Sequence, residues 1–214
     1  MRRSNGLSLL LVALSTFACG GGAARAPRQR VLDPPRLDLR PFGRVGLVLF
    51  SVEGARGSLN ELATQRFSEY VLAAQPGVEV LELGPADSVL QRVGERVPGA
   101  ASAQAFGASH DVPVVFFGHL KVSKVTPSGG LHGINLPFLE ATVSVELSVG
   151  LFSTKTGGTL WRSSGAASEK VGGVALVSGE PIFSAKDPKV AYGNLVNGLV
   201  NDVTYDLRST WRWQ

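Results

Sequence analysis

The sequence has 214 residues, of which 44% are hydrophobic and 18% charged, and its formal net charge is +4. That composition is typical of a globular protein and excludes a disordered chain. Eight of the 21 basic and two of the 17 acidic residues precede residue 45, which leaves 13 basic and 15 acidic residues in 45–214. A nucleic-acid-binding domain concentrates positive charge on its folded part, so we expect no nucleic acid partner.

Residues 1–18 contain the three parts of a secretory signal peptide. Arg2 and Arg3 supply the positive charge, an apolar stretch covers residues 7–14, and small residues surround the predicted cleavage point after Ala18. The apolar stretch is too short for a membrane-spanning helix, which takes about 20 residues. The sequence therefore predicts that the chain is exported.

Cys19 is the only cysteine and follows this leader directly. Its position resembles the lipobox of bacterial lipoproteins. The resemblance implies that the thiol receives a diacylglycerol, that the processed chain begins at an acylated Cys19 carrying chains such as palmitate, and that these chains hold it to a membrane. Gly20 replaces the Asp that retains such lipoproteins in the inner membrane, which implies the periplasmic face of a Gram-negative outer membrane. The alternative is general signal peptidase cleavage after Ala26.

Residues 19–43 predict a flexible, basic tether, because glycines, prolines and arginines dominate them. Two roles stay open for its arginines: contact with anionic headgroups, at about 1 kcal/mol per charge, or simple solvation. The folded domain is predicted to occupy 44–214.

The first half of this domain predicts a strand–helix–strand unit. The apolar run 45–52 is typical of a strand buried on both faces. Ser58 and Glu61 have the spacing of a helix capping box, and an apolar stripe then continues to Ala74. A short strand over 78–83 follows, and weaker helices are predicted at about 85–93 and 101–109.

The second half predicts an antiparallel meander and a closing helix. Strands are expected over 112–125, 143–151 and 159–171, with a hairpin turn at 156–158. In 143–151 apolar and polar residues alternate strictly, so one face of that strand is covered and the other is wetter. A helix begins at Asp187-Pro188 and extends to about Leu207. The fold class is α/β: a single mixed-sheet α/β sandwich with a βαβ half, an antiparallel meander and a C-terminal helix.

Three stretches carry a resemblance to a family of bacterial envelope proteins: the strand 45–50 with its following helix, the strand 111–118 that ends in Gly, and the hairpin 151–161 with Thr-Gly in its turn and Trp161 after it. The chain resembles the CsgG/LpoB-like lipoproteins and, more loosely, the amino-terminal domain of TolB. The LpoB-like branch implies a non-enzymatic, lipid-anchored activator of a peptidoglycan synthase that binds a protein partner. The CsgG-like branch implies a subunit of an outer-membrane secretion assembly. Insertions at 127–139 and 172–186 are too short and irregular for the membrane hairpins of that branch.

The sequence contains no recognisable catalytic, cofactor or metal motif, and we predict no enzyme activity, no cofactor and no small-molecule substrate. Ser109-His110-Asp111 has triad residue types, but consecutive side chains point in different directions, which indicates a helix-to-strand turn. Glu53 is interpreted as a solvated loop residue without a partner, and His119 as an isolated histidine. The remaining alternative, a periplasmic hydrolase, requires a cleft in which two or more titratable groups converge.

Two apolar segments are candidates for partner contact. The first is a loop that either folds over the core or presents a patch to a partner: Leu131, Ile134, Leu136 and Phe138. The second contains Trp211 and Trp213, which we expect to dock on an edge of the sheet. We predict a lipid-anchored interaction or assembly factor that faces the periplasm.

Overall fold

A computed structural model describes residues 29–127, 139–178 and 180–213. Cys19 and the predicted contact residues Leu131, Ile134, Leu136 and Phe138 lie outside these ranges. Within them the helices are α1 (Leu59–Ala74), α2 (Asp87–Val93), α3 (Ala100–His110) and α4 (Pro188–Val203). The strands are β1 (Arg30–Asp33), β2 (Arg44–Leu47), β3 (Ser51–Glu53), β4 (Arg56–Gly57), β5 (Glu79–Glu82), β6 (Val114–Pro127), β7 (Leu139–Ser153), β8 (Thr159–Val177), β9 (Glu180–Phe183) and β10 (Thr210–Trp213). No described helix is long and apolar enough to cross a membrane.

The main sheet is mixed, as predicted, and has the order β4-β9-β8-β7-β6-β2-β5, with β3 also paired to β6. β2 pairs in parallel with β5 and β6, which closes the predicted βαβ half around α1. β6, β7 and β8 form the antiparallel meander, and α4 closes the chain against β8. The predicted α/β sandwich is confirmed.

The two faces of the sheet carry two separate apolar clusters. Because side chains alternate along a strand, Val114 and Phe116 of β6 enter the larger cluster, with α1 and α4. Val115 and Phe117 enter the smaller cluster on the opposite face, with α2 and α3. α1 and α4 therefore cover one face, whereas α2 and α3 cover only one end of the other.

Helix α1 begins where the sequence predicted, but the capping box does not form. Ser58 makes no side-chain capping hydrogen bond. Instead, Asn60 Nδ2 donates to the carbonyl oxygen of Phe50 at 3.1 Å, and Phe50 N–H donates to Thr64 Oγ1 at 2.9 Å. These two bonds satisfy the backbone N–H and carbonyl of Phe50, between β2 and β3, and so hold the start of α1 against the sheet.

The folded part begins earlier than the sequence analysis placed it, because residues 30–43 are not all tether. β1 lies in this segment, and Leu39 is fully buried in the larger cluster. Gln75, at the end of α1, is buried and holds the segment in place. It accepts a hydrogen bond from Leu39 N–H at 3.1 Å and donates to the carbonyl oxygens of Leu37, at 3.0 Å, and Leu207, at 2.6 Å. Composition suggested a linker, but the apolar Leu37 and Leu39 pack against the domain.

The first and last described strands form a small ribbon outside the main sheet. β1 pairs antiparallel with β10, which contains Trp211 and Trp213. These side chains are 59% and 62% exposed. The expectation that they dock on an edge of the main sheet is therefore wrong, because β10 takes β1 as its partner strand.

Candidate functional site

Beyond the area that α2 and α3 cover, the same sheet face is polar and exposed. We call this area the open face. Strand register places its side chains in two rows across β3, β6, β7 and β8: Ser51, His119, Ser148 and Ser164 in the first row, and Glu53, Lys121, Glu146 and Ala166 in the second. The strict alternation predicted for 143–151 produces this face, because each apolar neighbour in β7 points into the core.

A groove of about 910 Å³ lies where the layer of α2 and α3 meets the open face. Phe117 and Phe152 pack edge to face beneath it, with ring centroids 5.5 Å apart. The Arg162 guanidinium lies 5.8 Å from the Phe152 ring centroid, within the range of a cation–π contact. Arg96 lines the groove as well, and neither arginine forms an ion pair within the described residues. Glu53 and Asp87 line it too. The groove therefore offers an apolar floor and charges of both signs.

Glu95 fixes the loop that supplies one wall of this groove. Its carboxylate accepts hydrogen bonds from Ala101 N–H at 3.1 Å and Ser102 N–H at 3.0 Å, in the first turn of α3. Desolvation of the carboxyl opposes its ionisation, but the hydrogen bonds from Ser102 and the backbone amides outweigh it and lower the pKa of Glu95. A carboxylate at a helix amino terminus is stabilised by the helix dipole. Glu95 thereby holds Arg96 and Val97 at the groove.

Three polar side chains converge at the mouth of the groove. Ser51 and His119 are register partners on β3 and β6. Ser51 Oγ lies 2.9 Å from His119 Nδ1, and His119 Nε2 lies 3.3 Å from Glu53 Oε2. Our interpretation of Glu53 as a residue without a partner is wrong, since parallel pairing with β6 brings His119 beside it. The side chains of His119 and Glu53 are 46% and 62% exposed.

The cluster contains the residue types of an acyl-transfer triad. A carboxylate only accepts hydrogen bonds, so the proton on the imidazole faces Glu53, and Nδ1 accepts from the Ser51 hydroxyl. Two features separate it from known triads. Ser51 lies on a regular strand, whereas the nucleophilic serine of α/β-hydrolases lies on a sharp turn. The Ser51 hydroxyl also lies 3.4 Å from the Gly118 carbonyl oxygen, a second acceptor for its single proton. With this geometry, the cluster is primarily a set of exposed hydrogen-bonding groups.

The other residues that the sequence analysis singled out do not join this cluster. Ser109, His110 and Asp111 form the predicted helix-to-strand turn, where α3 ends and Asp111 adopts a left-handed conformation with φ 52°. The His110 ring stacks on Phe106. In the part of the chain that the structure describes, no three His, Cys, Asp or Glu side chains are grouped closely enough to hold a metal ion.

The groove and the segments that lead to β1 and β10 are connected through α1 and β8. Asn60, at the start of α1, lines the groove, and Gln75, just after α1, contacts the segment that leads from β1. The sixteen residues of α1, at 1.5 Å per residue, separate these two positions by about 24 Å. Arg162, on another side of the groove, is closer to these segments, because the indole N–H of the adjacent Trp161 donates to Asp206 Oδ2 at 3.3 Å.

No family model matches this chain, and a search of curated proteins finds no relative. Among solved structures, a PelC dodecamer from Paraburkholderia phytofirmans is similar, with a TM-score of 0.45, 14% identity, and coverage of 85% of this chain and 99% of that chain. The LpoB C-terminal domain from Salmonella enterica has a TM-score of 0.36 and 15% identity, and the match covers 58% and 82% of the two chains. A lipoprotein from Neisseria meningitidis has a TM-score of 0.34 and 16% identity, with coverage of 59% and 83%.

These similarities include the LpoB branch of the resemblance described above and give no support to the CsgG branch. TM-scores below 0.5 at such identities establish neither a family nor a function for this chain.

Proposed function

We propose that this protein is a lipid-anchored interaction factor of a bacterial envelope that binds a protein partner through the groove and the open face. Cys19 carries the lipid, the chain up to β1 acts as a tether at the outer membrane, and the domain faces the periplasm. The observation that supports this most is the groove itself, a cavity of about 910 Å³ that opens beside a polar and exposed face of the sheet.

The chemistry of the groove favours a segment of protein as its occupant. Phe117 and Phe152 offer apolar contact, while Arg96 and Arg162 offer unpaired positive charge at an exposed rim. Small side chains in the first row of the open face leave space above the sheet. Protein interfaces combine an apolar centre with a polar rim and favour arginine and aromatic residues. A partner segment with apolar side chains, and with carboxylates placed at Arg96 and Arg162 and away from Glu53 and Asp87, therefore fits this site.

Site-specific photocrosslinking in cells tests the proposal. A photoreactive amino acid at Ser164 of the full-length chain is expected to give a discrete crosslinked product, which mass spectrometry identifies. The control position is Val190, which is 83% exposed on α4 and therefore on the opposite face of the sheet. Arg162→Glu is expected to abolish the product, while Lys189→Glu, an equal charge reversal on α4, leaves it unchanged. Equal crosslinking from both positions, or none from Ser164, would contradict the proposal.

The Ser51–His119–Glu53 cluster favours one second candidate, a serine hydrolase of acyl substrates. In such a reaction Ser51 Oγ attacks the substrate carbonyl, its proton moves to His119, and the protonated leaving group departs before water releases the acyl group. A fluorophosphonate probe distinguishes the candidates, because it forms a covalent adduct only with an activated serine. Labelling that Ser51→Ala abolishes and Ser148→Ala preserves would support the hydrolase. An unlabelled full-length chain would leave this cluster as part of the binding surface.

A further inference from the structure

The ribbon of β1 and β10 exposes an apolar surface that the proposed function does not use. Arg30 and Trp213 are register partners, as are Leu32 and Trp211. Because opposite residues and residues two apart share a face of a β-ribbon, these four side chains lie on the same face, which we call the ribbon face. Leu32 is 48% exposed, and both indoles are more exposed still.

The ribbon face also carries a cation in contact with both aromatic rings. The Arg30 guanidinium carbon lies 5.4 Å from the ring centroid of Trp211 and 5.3 Å from that of Trp213. Arg30 forms no ion pair within the described residues, although the neighbouring Arg36 and Arg212 are paired with Asp206 and Asp33. Two exposed tryptophans, an exposed leucine and an unpaired guanidinium thus form one continuous surface.

This combination fits the headgroup region of a phospholipid bilayer. Tryptophan is enriched at membrane–water interfaces, where its ring is partly in contact with acyl chains and its N–H faces polar groups. Arginine binds phosphate through a fixed set of N–H donors. A protein pocket would instead bury the indoles in a concave, specific site, whereas the ribbon face is narrow, being only two strands wide.

The distance to the lipid attachment point supports the same occupant. Arg30 is eleven positions after Cys19, and a fully extended chain of that length spans at most about 40 Å. The basic residues Arg25 and Arg28 lie within this short connection. A domain tethered so closely meets the membrane repeatedly with the end that carries its termini, and the ribbon face lies at that end.

We propose that the ribbon face is a membrane-contact site that inserts Trp211 and Trp213 among phospholipid headgroups and pairs Arg30 with lipid phosphate. The inference depends on the proposed membrane attachment at Cys19, and it adds a fixed orientation to that attachment. The acylated amino terminus and the ribbon then hold the domain at two points. A single point of attachment would leave the domain free to rotate.

Tryptophan fluorescence on vesicles tests this contact. Trp161→Phe leaves Trp211 and Trp213 as the only fluorescent indoles, since the chain has three tryptophans. The chain from residue 19 is coupled through its single thiol to a maleimide-bearing lipid in vesicles of phosphatidylethanolamine and phosphatidylglycerol. Brominated phospholipids in the same vesicles are expected to quench more than half of the emission and the emission maximum to move to shorter wavelength. Arg30→Glu is expected to reduce the quenching at least twofold, whereas Lys189→Glu leaves it unchanged.

The outcomes separate this inference from the proposed function. Chemical coupling places the chain on the bilayer whether or not the cell acylates Cys19, so a failure of native acylation does not affect the fluorescence result. Emission that stays at long wavelength, is quenched by aqueous acrylamide and is unaffected by brominated lipid would overturn the membrane-contact site. Quenching that Arg30→Glu leaves unchanged would equally overturn the pairing of Arg30 with phosphate.

Discussion

Replacing Gln75 is expected to loosen the attachment of the terminal segments to the domain. Gln75→Ala removes the acceptor for Leu39 N–H and the donor for the carbonyl oxygens of Leu37 and Leu207. Each buried polar group left without a partner costs about 1–3 kcal/mol. Because the bond to Leu37 is only partly buried, we expect a total loss of roughly 2–5 kcal/mol in the free energy of unfolding.

Urea unfolding, followed by circular dichroism, measures this loss. With a slope of about 2 kcal/mol per molar urea, the unfolding midpoint is expected to fall by roughly 1–2.5 M. Gln65→Ala is the matched control, because it is the same substitution on the same helix, at an exposed position whose side chain bonds only to Glu69. A midpoint for Gln75→Ala equal to that of Gln65→Ala would refute the role assigned to Gln75.

Three further predictions concern the groove and the sheet. Gly118→Ala places a methyl group 2.3 Å from the Phe50 ring, so thermal unfolding should show that the free energy of unfolding falls by about 1–3 kcal/mol. Gly172→Ala is the control, because the structure has open space there, and it should not show this fall. Glu95→Gln should destabilise α3 by about 1 kcal/mol near neutral pH. Because the pKa of Glu95 is lowered by folding, this stabilisation is present above its ordinary value of 4.5 and is lost as the pH falls through the folded value, so the two proteins should converge in acid unfolding titrations. Tyr192→Phe removes the hydroxyl that donates to Gly173 and accepts from Ala185. Denaturant unfolding should then show a loss of about 1–2 kcal/mol, and an unchanged stability would argue that water replaces the hydroxyl.

The regular elements of the fold were predictable because they depend on local pattern. The alternation in 143–151 predicts the half-covered strand β7, and the spacing of apolar residues before Ala74 predicts α1. The apolar run 45–52 was predicted as one buried strand, but the structure divides it into β2 and β3, with residues 48–50 outside both. Chain order then favours a mixed sheet, since a strand–helix–strand unit closes in parallel and consecutive strands with a short turn close antiparallel. The structure confirms this arrangement.

The candidate site could not be predicted in the same way, because it depends on pairing between distant segments. Ser51 and His119 are 68 positions apart in sequence and meet only through the parallel register of β3 and β6. The available signal was weak: Ser51 and Glu53 alternate at the end of an apolar strand, and His119 interrupts another. Seen together, these outward polar positions on two strands would have indicated a shared surface.

The terminal ribbon was missed for a different reason. The composition of residues 19–43 is that of a linker, and a strand of four residues such as β1 has little local pattern. Its pairing with β10 joins two segments far apart in the sequence, a contact that no local signal reports. Leu37 and Leu39 were the residues that distinguished a packed segment from a free tether.

Membrane attachment at Cys19 is the claim on which the proposed function depends, and the mass of the mature amino terminus tests it most directly. The full-length gene is expressed in a Gram-negative host, and the protein is purified from the membrane fraction and digested. The account predicts an amino-terminal peptide that begins at Cys19 and has the added mass of a diacylglyceryl group and an amide-linked acyl chain. A peptide that begins at Pro27, or an unmodified Cys19, would contradict it.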